Sequence, residues 1–233
     1  MKIKKSFEKQ LLQNINAHNM LVNLLPEIDK TIKIIHKKIK LGGKLLFCGN
    51  GGSAADAQHL AAEYLVRLRP KVNRKPIPAL SLAQDSSTLT ACGNDFDFSD
   101  IFLRPFQAIA NKNDILIGIT TSGNSLNILK VLKYAQSKNI FTIGFLGGSG
   151  GKCKNNCDIN WVLPSIIDQL TGERPLPLGN NSELPCEPIP PIFNVFRIFS
   201  GINLCQPHTI NKSNFSFSKN DKSDSFFIEY SFG

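Results

Sequence analysis

The chain has 233 residues, 42% of them hydrophobic and 19% charged, enough to bury one core and too few for two large domains. No run of about 18 uninterrupted apolar residues occurs, and Met1 to Lys5 lead into mixed polar sequence, so neither a membrane span nor a secretory leader is expected and the expected home is the cytoplasm. The formal charge of +9 fits an anionic ligand, yet the lysines that carry it are not interleaved with aromatics or zinc-finger spacing, so nucleic acid is not an expected partner.

Two amphipathic helices come first. Phe7, Leu11, Leu12 and Ile15 recur at helical spacing, and Ile28, Ile32, Ile35 and Ile39 do so again between lysines. Stripes this apolar imply packing against another subunit. Leu41-Gly42-Gly43 stops the second helix, and Lys44 to Cys48 reads as a buried strand. Gly49-Asn50-Gly51-Gly52-Ser53 then leads into an alanine-rich helix from about Ala54 to Arg67. A strand near Ile77 to Leu82 precedes a helix beginning around Asp85. Asp114 to Ile119 leads through Thr120-Thr121-Ser122-Gly123-Asn124-Ser125 into a helix ending near Lys138. Phe141 to Leu146 is another apolar run, followed by Gly147-Gly148-Ser149-Gly150-Gly151, and Cys157 to Leu163 reads as a last strand. Strands alternating with helices predict a doubly wound α/β fold, a parallel sheet flanked by helices whose ligands bind beyond the carboxyl ends of the strands.

The composition then changes. Residues 166–233 contain no alanine but hold seven of the 13 prolines and eight of the 16 phenylalanines. Pro185, Pro188, Pro190 and Pro191 forbid a regular helix across their stretch, and Asn211 to Ser225 is a Ser/Asn/Lys tract with little apolar surface to bury. The expectation is a domain over residues 1–165 and an irregular appendage over 166–233, poorly ordered or read from an altered frame near codon 168.

Chemistry concentrates in two strand-to-helix loops. Glycines allow close backbone approach, hydroxyls donate hydrogen bonds, and helix N-termini present unpaired N–H groups, which together suit a phosphate. Thr120, Thr121, Ser122 and Ser125 supply four hydroxyls within six residues, although Ser125 or Asn124 also suits a plain helix cap. Two such loops at one sheet edge favour a sugar phosphate, and neither has dinucleotide or P-loop register. His59 and Glu63 are four apart on one helix face, read as close to the end that meets the glycine loop. They suit a shared metal, a base, or an ordinary exposed pair. The six cysteines are too sparse for a disulfide scaffold and are expected as thiols. Cys153 and Cys157 have no second pair to complete a tetrahedral site.

The segments Cys48-Gly-Asn-Gly-Gly-Ser53, Gln58-His59-Leu-Ala-Ala-Glu63, Gly93-Asn94-Asp95-Phe96 and Gly118-Ile-Thr-Thr-Ser-Gly-Asn-Ser125 together resemble the phosphoheptose isomerases, a branch of the sugar isomerase (SIS) domain proteins. The resemblance covers about residues 1 to 164. It implies conversion of sedoheptulose 7-phosphate to D-glycero-D-manno-heptose 7-phosphate by a homo-oligomer, a tetramer in many members, in several cases with zinc. Position by position, it implies that Asn50, Gly51, Gly52 and Ser53 with Asn94 and Asp95 hold the sugar, while Thr120, Thr121, Ser122 and Ser125 hold the phosphate. Glu63 matches the catalytic base, and His59 and Glu63 match zinc ligands.

The chain departs from the family after its last strand. There the family carries a long helix with R-I-Q-E-x-H and a later histidine, whereas this chain runs Ser165-Ile-Ile-Asp-Gln-Leu-Thr-Gly-Glu-Arg-Pro175 with no histidine before His208. The family's second acid/base and remaining zinc ligands therefore have no counterpart, which implies weak metal binding and poor isomerisation or none. The alternative function is a non-catalytic SIS protein that binds a replication initiator or another protein. The relative of that kind lacks the glutamate matching Glu63.

Overall fold

The computed structural model describes residues 8, 12, 15, 16, 19–67 and 74–163, together with the backbone of two short strands further on. The chain divides into two compact units, Met1–Asn203 and Leu204–Gly233. In the second, Ser216–Lys219 (β6) pairs antiparallel with Phe226–Glu229 (β7). The change of character at residue 165, the proline-rich stretch, Gln169 and His208 all lie outside the described residues.

In the first unit, five parallel strands form one sheet in the order β2-β1-β3-β4-β5: Leu45–Gly49 (β1), Ala79–Ser81 (β2), Ile115–Thr120 (β3), Phe141–Gly147 (β4) and Ile159–Leu163 (β5). Burial on both faces explains why the strands read as continuous apolar runs, since β1 and β3 are buried at every position. Side chains alternate between faces. Leu45 and Phe47 point to one layer, where Phe47 stacks on Tyr64 of the helix Gly52–Leu65 (α2) and Trp161 of β5 donates to Thr31 of the helix Leu25–Lys40 (α1). Leu46, Cys48, Leu116 and Leu146 point to the other layer, against Ser86–Asp95 (α3), Leu103–Ile109 (α4) and Leu126–Ser137 (α5).

The expected elements from the first strand to the last are present with boundaries within two residues of those expected, and α4 is an addition. The N-terminal helix prediction falls mostly outside the described residues, but Glu8, Leu12, Ile15, Asn16, Asn19 and Met20 are helical. Leu12, Ile15, Met20 and Val22 are exposed, whereas Ile28, Ile32 and Ile35 of α1 are buried on the sheet. Among the described residues no helix is long and apolar enough to cross a membrane.

Candidate functional site

The strand order reverses between β1, which pairs outward with β2, and β3, which pairs outward with β4. At such a switch point the connections leave on opposite sides and open a crevice beyond the carboxyl ends of the strands. The loops that line it are Asn50–Ser53 after β1 and Thr121–Ser125 after β3, so the sequence's two glycine and hydroxyl loops become neighbours.

Glycine shapes both loops. Gly51 takes φ +54° with ψ −121°, a conformation open to glycine, and so turns the chain into α2. Gly123, at φ +64°, lies directly on the third loop, where a Cβ would stand 2.1 Å from the Gly150 carbonyl oxygen. Gly147 approaches the Thr121 carbonyl just as closely, Cys153 donates its backbone N–H to the Gly123 carbonyl at 2.8 Å, and Lys152 donates to the Asn124 side chain. The Gly147–Gly151 run is thus the seat of the hydroxyl loop, a role that its spacing did not reveal.

Ser125 occupies the N-cap position of α5 but makes no capping bond. Its hydroxyl pairs instead with that of Thr120 at 3.1 Å. α2 likewise begins without a side-chain cap. Away from these two loops the ordinary device operates, for Asp85 accepts from the backbone N–H groups of Ser87 and Thr88 and caps α3. The N-cap residues of α2 and α5 thus make no side-chain capping bond, although Asn127 Oδ1 accepts from the Ile128 N–H in the first turn of α5.

Asn50 does not point alone into the crevice. It exchanges two hydrogen bonds with Asn127 in the first turn of α5, at 2.9 and 2.8 Å. Asn94 donates to Asp95 at 2.8 Å at the exposed end of α3, and among the described residues no hydrogen bond joins this pair to either loop.

His59 and Glu63 share a face as expected, with Nε2 and Oε1 3.3 Å apart. Their place on the helix differs from the expectation. α2 ends at Leu65, so Glu63 stands in its last turn, roughly 16 Å along the axis from Gly52 at 1.5 Å per residue. There Arg74 donates to the backbone carbonyls of Glu63 and Tyr64, closing the helix C-terminus with a positive charge. Oε2 of Glu63 is buried and, among the described residues, has no hydrogen-bond partner. One turn before His59, burial raises the Asp56 carboxyl above its ordinary range, and His59 partly offsets this. Asn127, Arg74 and Asp56 were not singled out from sequence: Asn127 and Asp56 are lone polar residues within apolar or small-residue patterns, and Arg74 is one of several basic residues between Arg67 and Lys75.

The described cysteines are thiols, as expected. Burial raises Cys48, Cys153 and Cys157 well above the ordinary thiol range, Cys153 to about 11. Among the described residues no group of three or more His, Cys, Asp or Glu is placed to hold a metal.

A parallel sheet whose switch point carries two glycine- and hydroxyl-rich loops defines a doubly wound α/β protein with a small-molecule crevice beyond its strand ends. The SIS domain model matches residues 9–147. The phosphoheptose isomerase of Clostridium acetobutylicum is 43% identical over 181 residues, spanning 76% of this chain and 91% of that one. Solved phosphoheptose isomerases from Francisella tularensis and Neisseria gonorrhoeae superpose with TM-scores of 0.69 and 0.66 at 30% and 27% identity. The match covers 86% and 85% of this chain, and 95% and 94% of theirs. The chain belongs to the phosphoheptose isomerases, a family of SIS-domain enzymes.

Proposed function

We propose that this chain converts sedoheptulose 7-phosphate to D-glycero-D-manno-heptose 7-phosphate, with Glu63 as the base. Glu63 takes a proton from C1, the C1–C2 double bond forms as the C2 carbonyl electrons move to oxygen, and that oxygen is protonated to give an enediol. Proton return to C2 and loss of the O1 proton leave an aldehyde at C1, so C1 is oxidised as C2 is reduced and no outside oxidant is needed. A positioned base of this kind is typically worth about 10² to 10⁴ in rate. The observation that carries the reading is the Oε2 of Glu63, a buried carboxylate oxygen that no group among the described residues takes up. A non-catalytic module that binds a replication initiator has no use for such a group.

In this reading Asn50, Gly51, Gly52 and Ser53 with Asn94 and Asp95 hold the sugar, and Thr120, Thr121, Ser122 and Ser125 hold the phosphate. His59 and Glu63 also fit two positions of a zinc site, where the metal would polarise the carbonyl oxygen. Catalytic zinc usually has three protein ligands, so this pair alone holds it weakly. The family's remaining ligands and second acid/base correspond to sequence beyond residue 164, which this chain writes differently, and turnover is expected to be slow.

The working unit in this reading is a homo-oligomer. Leu12, Ile15, Met20 and Val22 are exposed apolar side chains, and so are Leu65 and Val66, close in sequence to Glu63 at the far end of α2 from the first loop. A second copy of the chain covers these side chains and brings its own loops to Glu63. Calorimetric titration tests the phosphate assignment. Sedoheptulose 7-phosphate should bind at least tenfold more tightly than sedoheptulose, and Ser122→Ala with Ser125→Ala should abolish the difference. Equal affinity for the two sugars in the unaltered chain contradicts the assignment.

A further inference from the structure

Asn127 is 2% exposed, in a first turn otherwise written with leucine and isoleucine. A buried amide is costly unless its groups are paired, and here they are. Oδ1 accepts from the backbone N–H of Ile128 at 2.9 Å and from Asn50 Nδ2 at 2.9 Å, while Nδ2 donates to Asn50 Oδ1 at 2.8 Å. A backbone N–H can only donate, so the bond from Ile128 fixes which end of the Asn127 amide is oxygen, and the reciprocal pair then fixes Asn50. Asn50 leaves β1 and Asn127 follows β3, so the bridge spans the crevice at the switch point. Among the described residues no other hydrogen bond joins Asn50–Ser53 to Thr120–Asn127.

We infer that Asn127 is a positioning residue: through its two-way bridge with Asn50 it sets the distance between the loop assigned to the sugar and the loop assigned to the phosphate. The inference rests on the function proposed above. A ligand that engages both loops at once reads that distance, and inorganic phosphate, which needs the hydroxyl loop alone, does not. Loss of the bridge therefore weakens the sugar phosphate selectively, whereas general damage to α5 weakens both.

The test is calorimetry on the full chain with sedoheptulose 7-phosphate and with inorganic phosphate, for the unaltered protein, Asn50→Ala, Asn127→Ala and the double variant. Asn127→Ala should weaken sugar phosphate binding about tenfold, adding it to Asn50→Ala should cost nothing more than Asn50→Ala alone, and the phosphate affinity of Asn127→Ala should stay within about twofold. Additive losses, or equal losses for both ligands, overturn the inference. If Asn127→Ala does not fold, Asn50→Ala removes the same two bonds from a half-buried position. Hydrogen exchange gives a readout that needs no ligand: Asn127→Ala should speed exchange at residues 50–53, and Asn50→Ala at residues 126–128. Unchanged protection on the opposite loop overturns the bridge even if the unaltered chain prefers no phosphorylated sugar, an outcome that separately defeats the proposed substrate.

Discussion

Ser125 and Asp85 occupy equivalent places at the starts of α5 and α3, and only Asp85 caps its helix. From sequence the two are alike, because a cap and a ligand-binding hydroxyl call for the same residue types at the same position. What separates them is the partner, since Thr120 takes the Ser125 hydroxyl across the loop. Asp56 is a second residue whose state depends on burial. Its raised value means that ionisation disfavours the folded chain, so its contribution is most favourable below the unfolded value of about 3.9 and is lost as pH rises through the folded one. Asp56→Asn stays neutral throughout. Its melting temperature should exceed that of the unaltered chain at pH 7, with the gap narrowing towards pH 4, and a gap that does not vary across melts from pH 4 to 8 would contradict the argument.

At the scale of elements, β1, β3 and β4 were legible because both sheet faces are covered, which leaves a largely apolar run in each. α4 was not legible. It spans seven residues, carries Pro105, and buries Phe106 within a segment too short to show a helical period. The order of the strands was equally hidden, since nothing local records that β3 crosses to the far side of β1. The loops themselves were readable by composition, but their mutual support was not. Gly123 shows how close that support is. Gly123→Ala places a Cβ against the Gly150 backbone in a left-handed conformation and should lower stability by about 2 kcal/mol or more. Gly52→Ala, with open space around its Cβ and no positive φ, should change stability by less than about 1 kcal/mol. Denaturant melts of the two variants compare them directly, and similar losses would refute the close packing of the second and third loops.

At the scale of the molecule, four motifs in order were enough to indicate the family, and the fold brings two of them together as the crevice loops while the other two lie on α2 and at the end of α3. They did not show where Glu63 stands, since the distance along a helix depends on where the helix ends. With Glu63 in the last turn of α2 and apolar side chains exposed close to it in sequence, light scattering at micromolar concentration should give a mass of at least two chains. A clean monomer would contradict the covering of that face. Removal of the C1 proton by Glu63 can be followed without full turnover. Sedoheptulose 7-phosphate incubated with the chain in D₂O should lose its C1 proton signal by NMR as the enediol forms and reverts, about 10² to 10⁴ times faster than with Glu63→Gln. Equal exchange in the two proteins, with both binding the sugar phosphate, would contradict the assignment of Glu63 as the base.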